Sequence, residues 1–364
     1  MRIAIEGVGV VGGFGSGLQA LADSLARGPA AADVASVPAE GETLSVRSMR
    51  AVSRGLEDFV ERRTLRRVDH FSRLALLAAC LALREAGPQP PDPKTLGVVV
   101  ATGYGASRAT FGFLESFVAD GDALASPTHF STSVHNAAAA NIAIILGAQG
   151  PNLTVSQFEM SVASALHSAR LMLLEGQAET ILFGGVDESC DVLQYCRHRF
   201  FGAEDGEVMR PLDFERQTAI TGEGAAFFLL RRAAEGAPSS CWIEEVALGN
   251  LADGPPRIPE DALVVLGADG NRACSRHYAR ALRDARPVLA FSHHYGSFPT
   301  AQAMDLAVAV LLLRGVVAAV APADAVGGGA AARAGEDSGL IREAACCLKM
   351  DGKGDYGLVT LRRS

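Results

Sequence analysis

The sequence lacks any excess of positive charge: 33 lysines and arginines stand against 41 aspartates and glutamates, a net charge of -8. Nothing in that balance points to nucleic acid or to an anionic membrane as partner. It also lacks a Cys-x-x-Cys pair. Its seven cysteines (Cys80, Cys190, Cys196, Cys241, Cys274, Cys346 and Cys347) are odd in number and scattered, which signals neither a disulfide framework nor a zinc site. They read as buried, reduced thiols. No apolar run reaches the roughly 18 to 20 residues that a bilayer span needs. The longest, around Ala301 to Ala321, is interrupted by Asp305 and Arg314 and reads as a buried helix followed by a strand. The opening Met1-Arg2-Ile3-Ala4-Ile5-Glu6 carries charge inside its apolar run and leads straight into glycines, unlike a secretory signal. A cytoplasmic protein with no membrane span is expected.

What is present is a large apolar fraction, 49% of 364 residues, enough for two fused core units or one large α/β domain. Strand-like runs at Arg2–Val8, Gly97–Ala101, Leu153–Ser156, Thr180–Phe183, Ala225–Leu230, Leu263–Leu266, Val288–Phe291 and Gly357–Leu361 alternate with helix-like ones, the pattern of a layered α/β fold. Asp69 can cap a helix that runs to Ala86 and stops at Gly87. Ser161–Glu175 is apolar on most faces and must be buried on nearly all sides. A second such helix, Thr300–Leu313, holds a similar place later in the chain. Two related halves are expected, 1–235 and 236–364, with a break near Ala234–Ser239, and Ala325–Ala334 reads as a surface loop.

Several familiar motifs fail on inspection. Gly7-Val8-Gly9-Val10-Val11-Gly12 has the spacing of a dinucleotide fingerprint, but the Ala/Pro-rich Ala26–Glu40 does not read as the second strand with an acidic end that the fingerprint requires. A glycine turn packing the first strand is preferred, and no cofactor is expected. His293 and His294 would face opposite sides of a strand, and the other histidines show no ligand spacing, so no metal is expected. Ser161 and Ser164 sit in no Gly-x-Ser-x-Gly elbow.

The segment with chemistry in it is Gly150–Ser161, read as a strand, a sharp turn and the start of a helix. It resembles the β-ketoacyl synthases of the thiolase fold, whose turn presents a nucleophilic cysteine at the helix N-terminus. Here Glu159 stands at that place. The resemblance extends in order through Ile5–Val11, Arg66–Ser72, Gly97–Gly105, Gly147–Asn152, Gly184–Glu188, Arg210–Asp213 and Gly222–Ala225. It implies an α/β, thiolase-like fold of two similar halves in α-β-α-β-α layers. It also implies that the family's two histidines and its lysine are gone: Asp269 stands for the first histidine, Ser292 for the lysine and Ser297 for the second histidine. The family's gating loop is answered by Asp351–Tyr356. Acyl transfer needs the thiolate, and the enolate and oxyanion need the imidazoles.

A family member without its nucleophile looks like the chain-length-factor subunit of type II polyketide synthases, and Phe130–Ala137 also resembles the partner subunits of aryl-polyene clusters. The resemblance implies a non-catalytic partner of an active ketosynthase, working with an acyl-carrier protein and able to form a homodimer when alone. The strand Leu153–Phe158 would be the dimer contact, with Val155, Phe158 and Met160 at the interface. Phe111, Leu114 and Phe117, spaced three apart on a helix, would line the shared acyl channel, the plain alternative being ordinary core. An enzyme reading competes with this one: a malonyl-acyl-carrier-protein decarboxylase with Glu159 in place of glutamine. A stand-alone scaffold is a third. An ionised Glu159 about 5 Å from a malonyl carboxylate would oppose it by roughly 3 kcal/mol at an effective dielectric near 20, which favours a capping or partner-contact role.

Overall fold

A computed structural model describes residues 2–39, 41–121, 126–202, 206–233, 241–281, 288–317 and 343–364. The expected break near 234–239 and the loop at 325–334 lie outside these residues. The strands are β1 (Arg2–Gly12), β2 (Gly15–Ser16), β3 (Asp33–Ala39), β4 (Glu42–Met49), β5 (Leu96–Thr102), β6 (Asn152–Ser156), β7 (Thr180–Asp187), β8 (Thr221–Gly222), β9 (Gly224–Ala233), β10 (Cys241–Asn250), β11 (Ala262–Leu266), β12 (Val288–Leu289), β13 (Ala344–Met350) and β14 (Asp355–Arg363).

The large sheet has the order β12-β11-β13-β14-β10-β1-β9-β7-β5-β6. Its symmetry is plain when each half is counted separately. From the outer edge inward, both β6-β5-β7-β9-β1 and β12-β11-β13-β14-β10 run third, second, fourth, fifth, first in chain order. In both, the first two pairings are parallel and the next two antiparallel. The halves join through a short antiparallel contact, Ile3 opposite Ile243 and Ala4 opposite Trp242. The expectation of two similar halves therefore holds at the level of strand order and direction.

The apolar helices Ser161–Leu174 and Gln302–Leu313 form the middle layer, each packed against strands of both halves. Gln302–Leu313 is buried along almost its whole length, as a helix apolar all round must be. The helix His70–Glu85 covers β1, β7 and β9 from outside, and the Asp69 carboxylate caps it by accepting the Ser72 N–H at 2.9 Å.

The Gly7–Gly12 run lies inside β1, not in a turn. A Cβ at Gly7 or Gly9 would come within 2.1 Å of the Ala82 or Ala78 carbonyl oxygen. Those glycines let the outer helix approach the strand. The stretch expected not to be a strand contains β3, paired with β4 as an antiparallel hairpin in a separate three-stranded sheet with β8. The seven cysteines are free, but Cys190 and Cys196 are only half-buried.

Candidate functional site

The strand β6 ends in a single 3-10 turn, Phe158–Met160, from which the helix Ser161–Leu174 departs. Among the described residues Phe158 is the one non-glycine with positive φ, 48°. Such strain costs of order 1–3 kcal/mol and persists only where the surroundings impose it. Here the Ser161 hydroxyl accepts the Gln157 N–H at 2.8 Å and donates to the Thr102 carbonyl at 2.9 Å, clamping the turn to the end of β5. Beneath it the buried Asp187 carboxylate accepts from Thr102 Oγ1, the Gly103 and Tyr104 N–H groups, and the Thr300 N–H and Oγ1. One carboxylate thus joins the end of β5 to the segment around Thr300.

The turn presents Glu159, half-buried, near a group of charged and polar side chains from Arg197, Asp269, Ser297 and Lys349. Ser297 Oγ donates to Asp269 Oδ2 at 2.7 Å and accepts from Arg197 Nη2 at 2.6 Å. Lys349 Nζ donates to the Gly267 carbonyl at 2.9 Å and lies 3.4 Å from Asp269 Oδ2. Ser292 Oγ donates to the Ala268 carbonyl at 2.7 Å, bracing the same segment. Burial pushes the Glu159 carboxyl above its ordinary range, and the Lys349 ammonium pulls against it. Burial would do the same to Asp269, but Lys349, the Ser297 hydroxyl and Arg197 together hold its carboxyl below the usual value. Burial alone would lower the Lys349 pKa; the Asp269 and Glu159 carboxylates reverse the sign and hold it above the ordinary lysine value.

The turn opens into a cleft of about 850 Å³. Its walls include Glu159, Met160, Leu248, Asn271, Cys274, the segment Asp351–Lys353 and Tyr356. Cys274 is the thiol nearest in kind to a nucleophile here. Burial and the carboxylates of Asp269, Glu159 and Asp351 push it far above the thiol range, so it stays protonated and a poor nucleophile.

Asp305 lies below the cleft, fully buried, its carboxylate accepting from the Tyr295 hydroxyl, and burial raises its pKa from 3.8 to about 7. A group whose folded pKa is raised adds stability that is complete below the unfolded value and lost as pH rises through the folded one. Stability from Asp305 should therefore fall between about pH 4 and pH 7. Asp305→Asn should flatten that part of the profile, read as a smaller difference in melting temperature between pH 5 and pH 8 than in the parent. An equal difference in both proteins would reject the assignment. Glu188, raised to about 7 by burial, adds the same sign of slope, so the difference between the two proteins is the quantity to read.

The profile of the β-ketoacyl synthase N-terminal domain matches residues 1–236. The chain belongs to the β-ketoacyl synthase family. Among relatives in this family, it is 24% identical over 213 residues to 3-oxoacyl-[acyl-carrier-protein] synthase 2 of Vibrio cholerae, covering 54% of this chain and 50% of the relative. It is 29% identical over 252 residues to putative polyketide β-ketoacyl synthase 1 of Streptomyces halstedii, covering 63% and 58%. The chain spans about half the length of the curated relatives it matches. Similar solved structures include a β-ketoacyl synthase from Burkholderia phymatum, with a TM-score of 0.78 at 16% identity and 100% and 99% of the two chains covered. A ketosynthase in complex with its chain length factor from Xenorhabdus doucetiae gives 0.76 at 15% identity, covering 100% and 98%. The ishigamide ketosynthase/chain length factor gives 0.71 at 19% identity, covering 100% and 99%. At these identities they show that the β-ketoacyl synthase fold is shared.

Within that family fold, Ser297 is bonded to Asp269, Glu159 lies close enough to feel the Asp269 charge, and Ser292 props the same segment. Met160 lines the cleft, and Phe158, 58% exposed, stands at its rim against Tyr104 with ring centroids 5.9 Å apart. Val155 is half-buried on β6. Leu114 and Phe117 are each 47% exposed on the helix Ser107–Asp120, and Phe111 is half-buried. The aromatic contacts of that helix run through Phe113, 6.5 Å from Phe117 and 5.3 Å from Phe130. Sequence reasoning missed Lys349 and Arg197. The signal for Lys349 was a lone cation inside the apolar run Ala344–Met350; Arg197 had none, its partner Ser297 being 100 residues away. Among the described residues no group of three or more metal-ligating side chains and no helix long and apolar enough to cross a membrane is found.

Proposed function

We propose that this chain is a non-condensing subunit that pairs with an active ketosynthase, completes its acyl channel and, with an acyl-carrier protein delivering the chain, limits product length. The observation that carries this reading is the centre itself. Neither a thiol nor an imidazole stands at the three positions the resemblance assigns to acyl transfer, and at two of them Asp269 and Ser297 are bonded to each other and to Lys349 and Arg197. The second support is β6, which ends the large sheet with β5 as its one neighbour among the described strands and is half-exposed. An unprotected sheet edge invites pairing with another chain. Phe158, Leu114, Phe117 and Phe130 add exposed apolar surface of the kind that marks an interaction site.

Purification of the chain co-expressed with an active ketosynthase of the same pathway tests the reading. Within such a complex, shrinking Phe111, Leu114 and Phe117 to alanine should lengthen the products while condensation continues, measured by mass spectrometry of the released chains. Unchanged lengths in all three variants, with the complex intact, would remove the channel assignment and leave only the pairing. The decarboxylase reading draws on one observation, that burial favours a protonated Glu159.

A further inference from the structure

We propose that the emptied catalytic centre has been rebuilt as an electrostatic lock between the two halves, with Asp269 as the anion shared by Arg197 and Lys349. Arg197 belongs to the helix Asp191–Phe201 of the first half, whereas Asp269, Ser297 and Lys349 all follow β10. The path runs from Arg197 Nη2 through Ser297 Oγ to Asp269 Oδ2 in steps of 2.6 and 2.7 Å, and Lys349 closes on the same oxygen at 3.4 Å. Asp269, Ser297 and Lys349 are 8%, 1% and 2% exposed. Groups this buried tolerate charge only when paired.

The seat of the lysine is shaped for it. A Cβ at Gly267 would fall 2.7 Å from Lys349 Cδ and 3.1 Å from Asp305 Oδ2, so a side chain at 267 would expel the ammonium from its place. Backbone bonds flank the charges on both sides: the Ser297 N–H donates to the Ile220 carbonyl at 2.7 Å, the Gly222 N–H to the Ser297 carbonyl at 3.1 Å, and the Thr218 N–H to the Gly270 carbonyl at 2.9 Å. The replacements at 269 and 297 then form one bonded unit with Lys349 and Arg197, to which Glu159 adds its attraction to Lys349. This inference does not depend on the pairing reading, because it concerns the full chain by itself.

A double-mutant cycle on the purified full-length protein tests it. Ser297→Ala removes the bridging hydroxyl with little change in volume and should lower the melting temperature by about 2–4 °C. In an Asp269→Asn background, where the shared anion is gone, the same substitution should have less than half that effect. Lys349→Met should cost more than either, and Asp269→Asn/Lys349→Met should recover part of the loss because the Asp269 carboxylate is no longer left buried without its lysine. Gly267→Ala should reproduce the Lys349→Met defect. Additive effects of Ser297→Ala and Asp269→Asn, or a Ser297→Ala protein melting within 1 °C of the parent, would overturn the lock. Should Lys349→Met fail to fold, the Ser297 and Asp269 cycle alone decides the matter.

Discussion

Co-expressed with its cognate ketosynthase, the chain should elute from gel filtration as a 1:1 complex, and Val155→Asp should abolish that complex. The reason lies in β6. Val155 pairs with Ala101 in a parallel ladder on one side, and on the other side no described strand covers it. Its side chain is half-buried in the isolated chain, so burial would be completed only by a partner. Because the fold is shared between homologues, a face that pairs with a copy of itself can take an active ketosynthase in its stead. An aspartate at the centre of that seam would lose its hydration without gaining a cation, a penalty of at least several kcal/mol, which corresponds to a loss of affinity of about 100-fold or more. Val34, 65% exposed on the separate small sheet, supplies the control: Val34→Asp should leave the complex intact. Persistence of the complex in Val155→Asp would move the interface elsewhere, and failure to form any complex with the cognate partner would remove the subunit proposal.

The fold was legible because its helices announce themselves. Asp69 before an Ala/Leu-rich run predicted a capped helix, and two runs without a polar face predicted buried helices; all three are present. Strands with their own polar faces were harder to see. The strand β10 carries Glu244 and Glu245 within its apolar run and is buried only at Cys241–Ile243, so its pattern never resolved from sequence. The hairpin β3–β4 has Pro38 and several small polar residues, a composition that suggests loop until pairing is considered. At the centre, the residue types at 159, 269 and 297 could be read from their flanking motifs. Their partners could not, because Lys349 and Arg197 reach the site from elements separated by 80 and 100 residues from the groups they bind.

Purified alone, the protein should give no condensation of acyl- and malonyl-carrier substrates above a control without protein, and Glu159→Cys should not restore it. A thiol placed at the start of the helix Ser161–Leu174 would benefit from the helix dipole. It would nevertheless face Asp269 in place of an imidazole, and a nearby carboxylate raises a thiol's pKa where a histidine would lower it. Even a thiolate that became acylated would lack imidazole donors for the enolate or oxyanion, the Ser297 hydroxyl being engaged with Asp269 and Lys349 with the Gly267 carbonyl. Loss of one such donor alone costs about 100- to 1,000-fold in rate. Robust turnover by Glu159→Cys would show that Asp269 and Ser297 do not occupy the histidine positions. Malonyl decarboxylation separates the remaining alternatives. An ionised Glu159 repels both the malonyl carboxylate and the developing enolate, so release of CO₂ should be undetectable at neutral pH. Burial works toward protonation and Lys349 against it, and the lysine is fixed in place by Asp269 and Gly267. CO₂ release that is present in the parent, rises as the pH is lowered and vanishes in Glu159→Ala would instead make this chain a decarboxylase that runs on the protonated carboxyl.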